Sequence, residues 1–395
     1  MHSRVVLLLA LAGFASAASL RATDPLLVLI AAEYSITPGA AAAVITAFAV
    51  SYGVFQVLHG PIGDRLGRIR VVCAAAALSA LGSLACAMAS SLGMLVAARF
   101  LTGITVGALI PMSMAWIADV VTYERRQPVL ARFLIGNILG IAFGTSAAGV
   151  LAVWFGWRGI FWVLAGLFLL ITALLWRELR GNVAMHAARD EAPATLAAAF
   201  RNMTGLLARP WVQVILVTVF IEGALFYGAL TFVAYDLHQR HGVGLAASGA
   251  LVSAFAAGGL LYAVSAGRVV PMLGERGLVL GGGALLGVAY LLLALAPGAG
   301  LAVLALVLAG AGVYMLHNTL QVNATQMAPE TRGGAIALFA FCLFSGNSLG
   351  VWLSARVVDG WGTRPVFAVA GIGLVLLSLD FRRRLARRAE RRAGS

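Results

Sequence analysis

The sequence carries little charge, and it contains no lysine. Of its 395 residues, 61% are hydrophobic and only 11% are charged, and the mean hydropathy is +0.95. A soluble globular domain averages about 25% charged residues, so this composition excludes a chain whose surface faces water throughout. The formal net charge of +13 comes entirely from arginine, and the placement of these arginines is considered below.

Cysteine is also scarce. The three cysteines, Cys73, Cys86 and Cys342, lie far apart in apolar runs, without a CxxC motif or a Cys/His cluster. The spacing offers no disulfide framework and no metal site, so we predict neither a metal nor a cofactor. The sequence also lacks a Gly-x-Ser-x-Gly elbow and a phosphate-binding loop, which disfavours a polytopic membrane enzyme.

Apolar runs of about 20 residues recur along the chain, each long enough to cross a hydrocarbon core of about 30 Å. We predict twelve transmembrane spans, six in each half. They cover residues 5–31, 40–59, 71–90, 92–117, 128–153, 158–176, 212–236, 245–266, 278–296, 301–325, 335–358 and 364–381.

Most of the arginines fall in loops on one side of this topology. These loops contain "GDRLGRIR", "YERRQ", the segment 177–210, "GERG" and the tail "RRRLARRAERR". The positive-inside rule makes that side cytoplasmic, so both termini are predicted to be inside. The basic tail is then interpreted as an anchor that touches anionic lipid headgroups, and a nucleic-acid partner is not predicted.

The stretch "FASAASLRATDP", from Phe14 to Pro25, allows two readings. Its small residues resemble the cleavage site of a signal peptide, or it is the middle of a membrane helix. We predict an uncleaved span, because the apolar run resumes after Asp24 as "PLLVLIAA" and cleavage would break the six-plus-six pattern. Arg21 and Asp24 would then lie inside the membrane on one helix face, beside a proline that loosens the helix.

The two halves of the chain resemble each other. The segment "GNILG" at 136–140 recurs as "GNSLG" at 346–350, a shift of 210. The segment "WRGIF" at 157–161 corresponds to "TRPVF" at 363–367, a shift of 206, and the same shift aligns Glu124 with Glu330. Duplicated membrane halves are a transporter architecture with the binding site near the midplane. The predicted units are a first bundle at 1–176, a cytoplasmic linker at 177–211, a second bundle at 212–381 and a basic tail at 382–395.

Two motifs resemble the major facilitator superfamily. "GPIGDRLGRIR", between the second and third spans, is similar to the hallmark loop of that family, and "GRVVPMLGERG" is a degraded second copy. "RFLTGITVG" on the fourth span resembles its Arg-x-x-x-Gly-x-x-x-Gly motif. The resemblance implies an all-α membrane protein with twelve transmembrane helices in two pseudo-symmetric six-helix bundles. It also implies a conformational latch formed by Gly60, Asp64, Arg65, Gly67 and Arg68.

The fifth span departs from the pattern of the proton antiporters of this superfamily. "GNILGIAFGTSAAG" keeps four glycines spaced for close helix packing, but it has Thr145 where those antiporters carry a proline.

The family resemblance implies that the first, fourth, seventh and tenth spans line a central cavity. Depth along the spans allows Asp24 to pair with Arg99 or with Arg21, and it places Glu222 near the midplane, where a carboxylate suits a group that binds and releases a proton. The residues predicted for proton coupling or substrate binding are Glu222, Asp24, Arg21, Arg99 and His317. The predicted cavity walls are Tyr52, Gln56, Phe226, Tyr227, Asn318 and Gln321.

These features predict a secondary active transporter of a bacterial inner membrane, monomeric, with protons and a small molecule as its partners. The first motif and "RATDP" resemble the drug and sugar-efflux antiporters, so proton-coupled export of small organic molecules by alternating access is the favoured interpretation. Uptake by a proton symporter or a uniporter is the alternative. The sequence leaves the substrate and the direction of transport open.

Overall fold

The computed structural model describes residues 2–181, 201, 203–328 and 331–393, without the side chains of residues 2, 3, 123–128, 131, 332 and 391–393. Most of the predicted linker, together with Glu330 of the proposed repeat, lies outside this part of the chain. Every regular element within it is helical.

The first half contains nine α-helices and one 3-10 turn. They are α1 His2–Arg21, the turn Asp24–Leu26, α2 Leu27–Glu33, α3 Pro38–Ala41, α4 Ala43–Val54, α5 Gln56–Leu66, α6 Arg68–Ala87, α7 Leu92–Val120, α8 Tyr123–Phe155 and α9 Arg158–Gly181. The second half contains seven. They are α10 Pro210–Leu230, α11 Val233–His241, α12 Leu245–Val252, α13 Ala254–Leu295, α14 Ala299–Gln326, α15 Arg332–Trp361 and α16 Arg364–Ala393.

These helices make twelve membrane crossings. Ten stretches are long and apolar enough to span, and α4 and α5 form one further, bent span with an angle of 50°. The stretch Leu245–Leu295 holds 51 residues, or about 76 Å of helix at 1.5 Å per residue, which is more than two hydrocarbon thicknesses. It is broken at Gly274 (φ 60°, ψ 177°) and so supplies two crossings. The predicted fold class is confirmed.

An even number of crossings puts both ends of the chain on one side of the membrane, called here the terminal side; the other is the distal side. Several helices extend beyond their predicted apolar runs on the terminal side. The helix α8 begins at Tyr123 rather than at 128, and α16 continues to Ala393 rather than ending at 381. The helices are longer there than the predicted spans because helix formation continues past the apolar stretch, and arginine is a good helix former.

The first span of each half is broken at the same depth. Leu26 ends the break in the first span with φ −95° and ψ −5°, and Phe232 ends the break between α10 and α11 with φ −95° and ψ 4°. These two residues are 206 positions apart. Both breaks lie between the middle of the membrane and the distal side, so they place irregular backbone where the two halves meet.

The same shift of 206 relates the glycine contacts of the two halves. A Cβ atom on Gly140 would clash with the carbonyl oxygen of Phe14, and one on Gly346 would clash with that of Phe220. The shift that relates "GNILG" to the second half is therefore 206, four residues or one helical turn less than the shift of 210 predicted from the sequence. That register is wrong because glycines repeat every four residues, so a slip of one turn leaves the same face glycine-lined.

The two halves pack against each other through α4 with α15 and through α8 with α12. Within the halves, α1 packs against α7, α8 and α9, while α10 packs against α14, α15 and α16. The helices α1, α7, α10 and α14 thus approach the centre, where the candidate site lies.

Candidate functional site

The break in the first span creates a buried ion pair. The helix α1 ends at Arg21, and Pro25 sits in the 3-10 turn that follows, where its missing N–H removes no helical hydrogen bond. Arg21 Nη1 donates to Asp24 Oδ2 at 3.0 Å, and both side chains are almost fully buried. Of the two pairings that the sequence left open for Asp24, the structure forms the one with Arg21.

Arg99 has other partners. Its guanidinium donates to the carbonyl oxygen of Ser19 at 3.2 Å and to Ser19 Oγ at 3.5 Å. It also lies over the Phe48 ring, with Cζ 3.9 Å from the centroid. These contacts join α7 to α1 and α4, so Arg99 holds the first bundle together around the Arg21–Asp24 pair.

Arg21 also reaches across to the second half. Its Cζ lies 4.5 Å from the centroid of the Tyr227 ring on α10, and the two residues are related by the repeat shift of 206. Equivalent positions of the two halves therefore touch each other near the pseudo-twofold axis. A cation over an aromatic face is stabilised by the ring quadrupole, by about 2 kcal/mol when the pair is desolvated.

The second half contributes a carboxylate–imidazole pair. Glu222 on α10 and His317 on α14 are joined by a contact of 2.9 Å between Oε2 and Nδ1. Glu222 is almost fully buried, while the His317 side chain is 20% exposed. Glu222 Oε1 accepts no hydrogen bond from any residue that the structure describes. The pair therefore leaves one carboxylate oxygen without a described partner, beside an imidazole that is partly exposed.

The predicted cavity walls divide between the interface and the interior of each half. The Tyr52 ring packs at a tilt against Phe344 of the other half, with centroids 4.2 Å apart. Gln56 instead donates to the carbonyl oxygen of Gly107 within the first half at 3.0 Å. Asn318 is half-buried and Gln321 is exposed on α14.

The prediction for Phe226 is wrong. Its ring is fully buried between Phe255 and Tyr290 inside the second bundle. Successive residues on a helix point about 100° apart, so Tyr227 faces the other half while Phe226 faces its own.

The hallmark loop forms a charge network at the terminal side. Gly67 has a positive φ of 88° and reverses the chain between α5 and α6. Arg68 then donates to Asp64 Oδ1 at 3.3 Å, to Asp119 Oδ2 at 2.5 Å and to the carbonyl oxygen of Ala115 at 2.6 Å. The network therefore ties the start of α6 to the end of α7. Asp119 was not among the predicted latch residues. Its position just before the basic "YERRQ" loop, at the same end of the bundle as the hallmark loop, could have indicated it.

Two other members of the predicted latch, Arg65 and Gly60, form no such contacts with the side chains that the structure describes. Arg65 is exposed, and a Cβ atom on Gly60 would meet nothing within 4 Å. Gly60 therefore makes no close helix approach among the described residues. Gly63 makes the close approach instead, to the sulfur of Met112 on α7.

The distal side is closed by a lock between the halves that the sequence analysis missed. Asp359 at the end of α15 accepts hydrogen bonds from Thr37 Oγ1 at 2.6 Å and from the Gly39 amide at 2.8 Å. Deeper in the same interface, Ser348 Oγ donates to the carbonyl oxygen of Thr46 at 3.2 Å. An aspartate near the end of a predicted span gave no sign of a partner more than 300 residues away.

A further buried carboxylate lies at the distal end of the seventh span. Asp236 is 1% exposed and is bonded to Thr363 Oγ1 and, at 3.0 Å, to Arg240. Among the described residues of the second half, two carboxylates, Glu222 and Asp236, are therefore buried, whereas the sequence placed Glu222 near the midplane and Asp236 at the end of a span. The cause is the predicted span boundary at 236, which put Asp236 at the membrane surface.

Comparisons with known proteins agree with this architecture. The family model for the Major Facilitator Superfamily matches residues 9–351. The uncharacterized transporter YgaY of Escherichia coli O157:H7 is 31% identical over 178 residues, 44% of each chain. Efflux pump radE of Floropilus chiversii is 30% identical over 128 residues, 32% of this chain and 24% of that protein. The chain thus matches less than half of the length of either relative.

A solved structure gives the fold over almost the whole chain. The crystal structure of a POT family transporter in complex with 5-aminolevulinic acid aligns with a TM-score of 0.78, covering 96% of this chain and 95% of that one at 14% identity. The two six-helix halves, the breaks in their first spans and the match over residues 9–351 have one explanation: the chain belongs to the major facilitator superfamily.

Proposed function

We propose that this membrane transporter exports small organic molecules in exchange for protons, by alternating access around the centre of the two bundles. The single observation that carries the proposal is the Glu222–His317 pair. A carboxylate inside a membrane protein is costly in its charged form and is retained for function, and here its only described partner is itself a titratable group.

The arrangement of charge supports different roles for the two halves. In the first half, Asp24 is held by the permanently charged Arg21, which favours an electrostatic role in substrate binding or gating. In the second half, Glu222 contacts His317, an imidazole whose charge depends on its own proton. The second half therefore pairs two ionisable side chains, whereas the first half pairs a carboxylate with a permanent cation.

The distal lock supports alternating access. Asp359 joins the halves on the distal side, and a transporter must break such contacts to expose its centre to that side. The direction of transport is proposed from two observations: the efflux-type first motif and the partial relative named as an efflux pump. The alternative, uptake by symport or uniport, uses the same residues because alternating access is reversible.

Proton release is the direct test of the proposal. The purified protein, in weakly buffered detergent solution with a pH-sensitive dye, is mixed with a panel of small organic compounds. Antiport predicts that the transported compounds release protons on binding, because substrate and proton compete. Proton uptake on binding would instead support symport, the absence of any proton change would support a uniporter, and turnover of a compound into a product would support an enzyme.

The proposed orientation makes the terminal side cytoplasmic and predicts an uncleaved first span. A peptide tag placed at residue 2 should remain on the purified protein, because α1 packs against α7, α8 and α9 as part of the first bundle. In inverted vesicles, a protease should remove this tag, whereas right-side-out vesicles should protect it. A mature chain that begins near Ala18, or a tag cut only in right-side-out vesicles, would contradict the prediction.

The Asp64 network gives a prediction about turnover. The side chain of Asp64 is 44% exposed and its bond to Arg68 is 3.3 Å long, so Asp64→Asn should cost less than about 1 kcal/mol of folding stability. It should nevertheless slow transport about tenfold, because the hallmark loop is proposed to change partners during each cycle. Substrate binding in detergent should be unchanged. A matched variant at the exposed neighbour, Arg65→Gln, tests whether charge alone matters; turnover equal to wild type in Asp64→Asn would refute the latch.

A further inference from the structure

We propose that the C-terminal end of α16 is part of the transport machinery, in which Arg388 completes a second latch with Glu275 and Asn323. The inference rests on the proposed alternating access and goes beyond it, because it assigns a positioning role to a segment that the sequence analysis interpreted as a lipid anchor. The second latch holds the terminal side of the second half, as the Arg68 network holds that of the first.

The two halves turn at equivalent glycines. Gly67, with φ 88°, precedes α6, and Gly274, with φ 60°, breaks α13 at the corresponding point of the second half. The residue after the turn is Arg68 in the first half and Glu275 in the second. Arg68 bonds to Asp119 in the last turn of α7. Glu275 accepts a hydrogen bond from Asn323 Nδ2 near the end of α14. The connection between the two helices is the same, but the sign of the charge after the turn is reversed.

The C-terminal helix brings a cation close to this reversed charge. Asn323 Oδ1 accepts from Arg388 Nη1 at 3.5 Å, so the Asn323 amide stands between the carboxylate of Glu275 and the guanidinium of Arg388. The degraded motif lacks the aspartate of the first half, since Pro271 stands in its place. In the first half the whole network comes from consecutive helices, whereas the second half draws on a residue more than 60 positions away.

The C-terminal helix is docked on the second bundle by further contacts. Arg388 lies over the Trp211 ring of α10, with Cζ 4.1 Å from the centroid, and Trp211 stacks on Phe381 with centroids 6.2 Å apart. On the other side, Arg276 donates to the carbonyl oxygen of Ala386 at 3.5 Å. The helix end therefore joins α10, α13 and α14 on the terminal side of the second half.

The arginines of the tail thus have different surroundings. Arg387 is exposed, while its neighbour Arg388 contacts α10 and α14. An anchor that only touched lipid headgroups would depend on the number of arginines and not on which one is removed. Arg387→Ala is therefore the matched control for Arg388→Ala, since both remove one positive charge from the same helix.

The test measures the conformer populations and needs no substrate. Spin labels are placed at two exposed positions, Leu66 and Val264, one in each half, after replacing the three native cysteines, and their distance distribution is recorded in nanodiscs. Asp359→Ala, which removes the distal lock, is the positive control. The measured quantity is the ratio of the conformer closed on the distal side to the conformer open on that side. Arg388→Ala should lower this ratio about fivefold, as expected for the loss of one cation–π contact and one hydrogen bond. Arg387→Ala should leave the ratio unchanged.

Glu275→Gln should shift the ratio in the same direction, and the double variant with Arg388→Ala should shift it no further, because both act on one network. Arg388→Lys should restore most of the wild-type ratio. A shift in Asp359→Ala with none in Arg388→Ala or Glu275→Gln would overturn this inference and leave the proposed function standing. Equal shifts in Arg387→Ala and Arg388→Ala would also overturn it, in favour of a lipid anchor. No shift in any variant would overturn both the second latch and the alternating-access proposal.

Discussion

Glu222→Gln is expected to abolish proton-driven transport while leaving substrate binding and substrate counterflow close to wild type. The amide has the size of a carboxyl group and resembles its protonated form, so it can still contact His317 Nδ1, 2.9 Å away in the native protein. It cannot release a proton. A transporter fixed in this state can exchange substrate for substrate, but it cannot use a pH gradient.

The measurement compares two assays on the same proteoliposomes. The first follows accumulation of labelled substrate driven by an imposed pH gradient, and the second follows counterflow without a gradient. Glu33→Gln is the control, since Glu33 is an exposed glutamate at the distal end of the first span that bonds to Arg158 and Trp157. If Glu222→Gln still concentrates substrate against its gradient, the coupling role of Glu222 is wrong.

His317 should behave differently from Glu222 in these assays. His317→Asn keeps a polar group beside the carboxylate but removes the titratable imidazole, so coupling should weaken rather than disappear. Because the structure places a 20% exposed side chain there, His317 is proposed to pass protons between solvent and the buried carboxylate.

Asp24→Asn is expected to produce the second large effect, which is loss of substrate binding or trapping of one conformer. The substitution removes the negative partner of Arg21 at 3.0 Å and leaves a guanidinium in the membrane interior. Breaking a buried ion pair by removing one partner costs about 3–5 kcal/mol. Arg21 also contacts Tyr227 of the other half, so the released guanidinium should strengthen that contact and hold the two halves in one arrangement.

Two measurements separate binding from trapping. Substrate binding is measured by calorimetry in detergent, and the conformer populations by the spin-label distances described above. The double variant Arg21→Gln with Asp24→Asn removes both charges and should recover thermal stability relative to Asp24→Asn alone, because no unpaired charge remains. A single Asp24→Asn variant with wild-type binding and wild-type populations would exclude Asp24 from the site.

The fold could be predicted from the sequence because the bilayer imposes simple rules. The number of spans follows from the twelve apolar runs and the arginine-rich loops. Each such run must be a helix, because in hydrocarbon a single segment can satisfy its backbone hydrogen bonds internally only as a helix. The exact register of the internal repeat could not be predicted. Three glycines, Gly136, Gly140 and Gly144, lie one turn apart on a single face, so a slip of one turn preserves the pattern. The shift of 206 is distinguished from 210 only by packing: Gly140 approaches the Phe14 carbonyl oxygen as Gly346 approaches that of Phe220.

The candidate residues could be predicted, but not the pairs that they form. Charged and polar groups inside spans are visible in the sequence, so Arg21, Asp24, Glu222 and His317 were all candidates. The sequence left Asp24 two possible partners, and the structure pairs it with Arg21 across the end of α1. The Glu222–His317 contact joins residues 95 positions apart, and it depends on how α10 packs against α14, which no spacing within either helix records.

The missed residues share a physical cause. Asp119, Asp236 and Asp359 all lie near the ends of spans, where a charged carboxylate can face water at little cost and so is not singled out as an intramembrane charge is. Their roles come from partners on other helices. The same is true of Arg388, one of many arginines in a basic tail, which only the docked helix distinguishes from its neighbours.

Glu222 is proposed to couple substrate movement to proton movement, and a simultaneous recording of both fluxes tests this coupling. Proteoliposomes containing a pH-sensitive dye are loaded with a transported compound, and proton flux and compound flux are recorded together for the wild-type protein and for Glu222→Gln. In the wild type, compound that leaves on one side should be matched by protons that move the opposite way. In Glu222→Gln this proton flux should be absent, while counterflow of the compound persists. Equal proton flux in both proteins, or compound flux without protons in the wild type, would contradict this coupling.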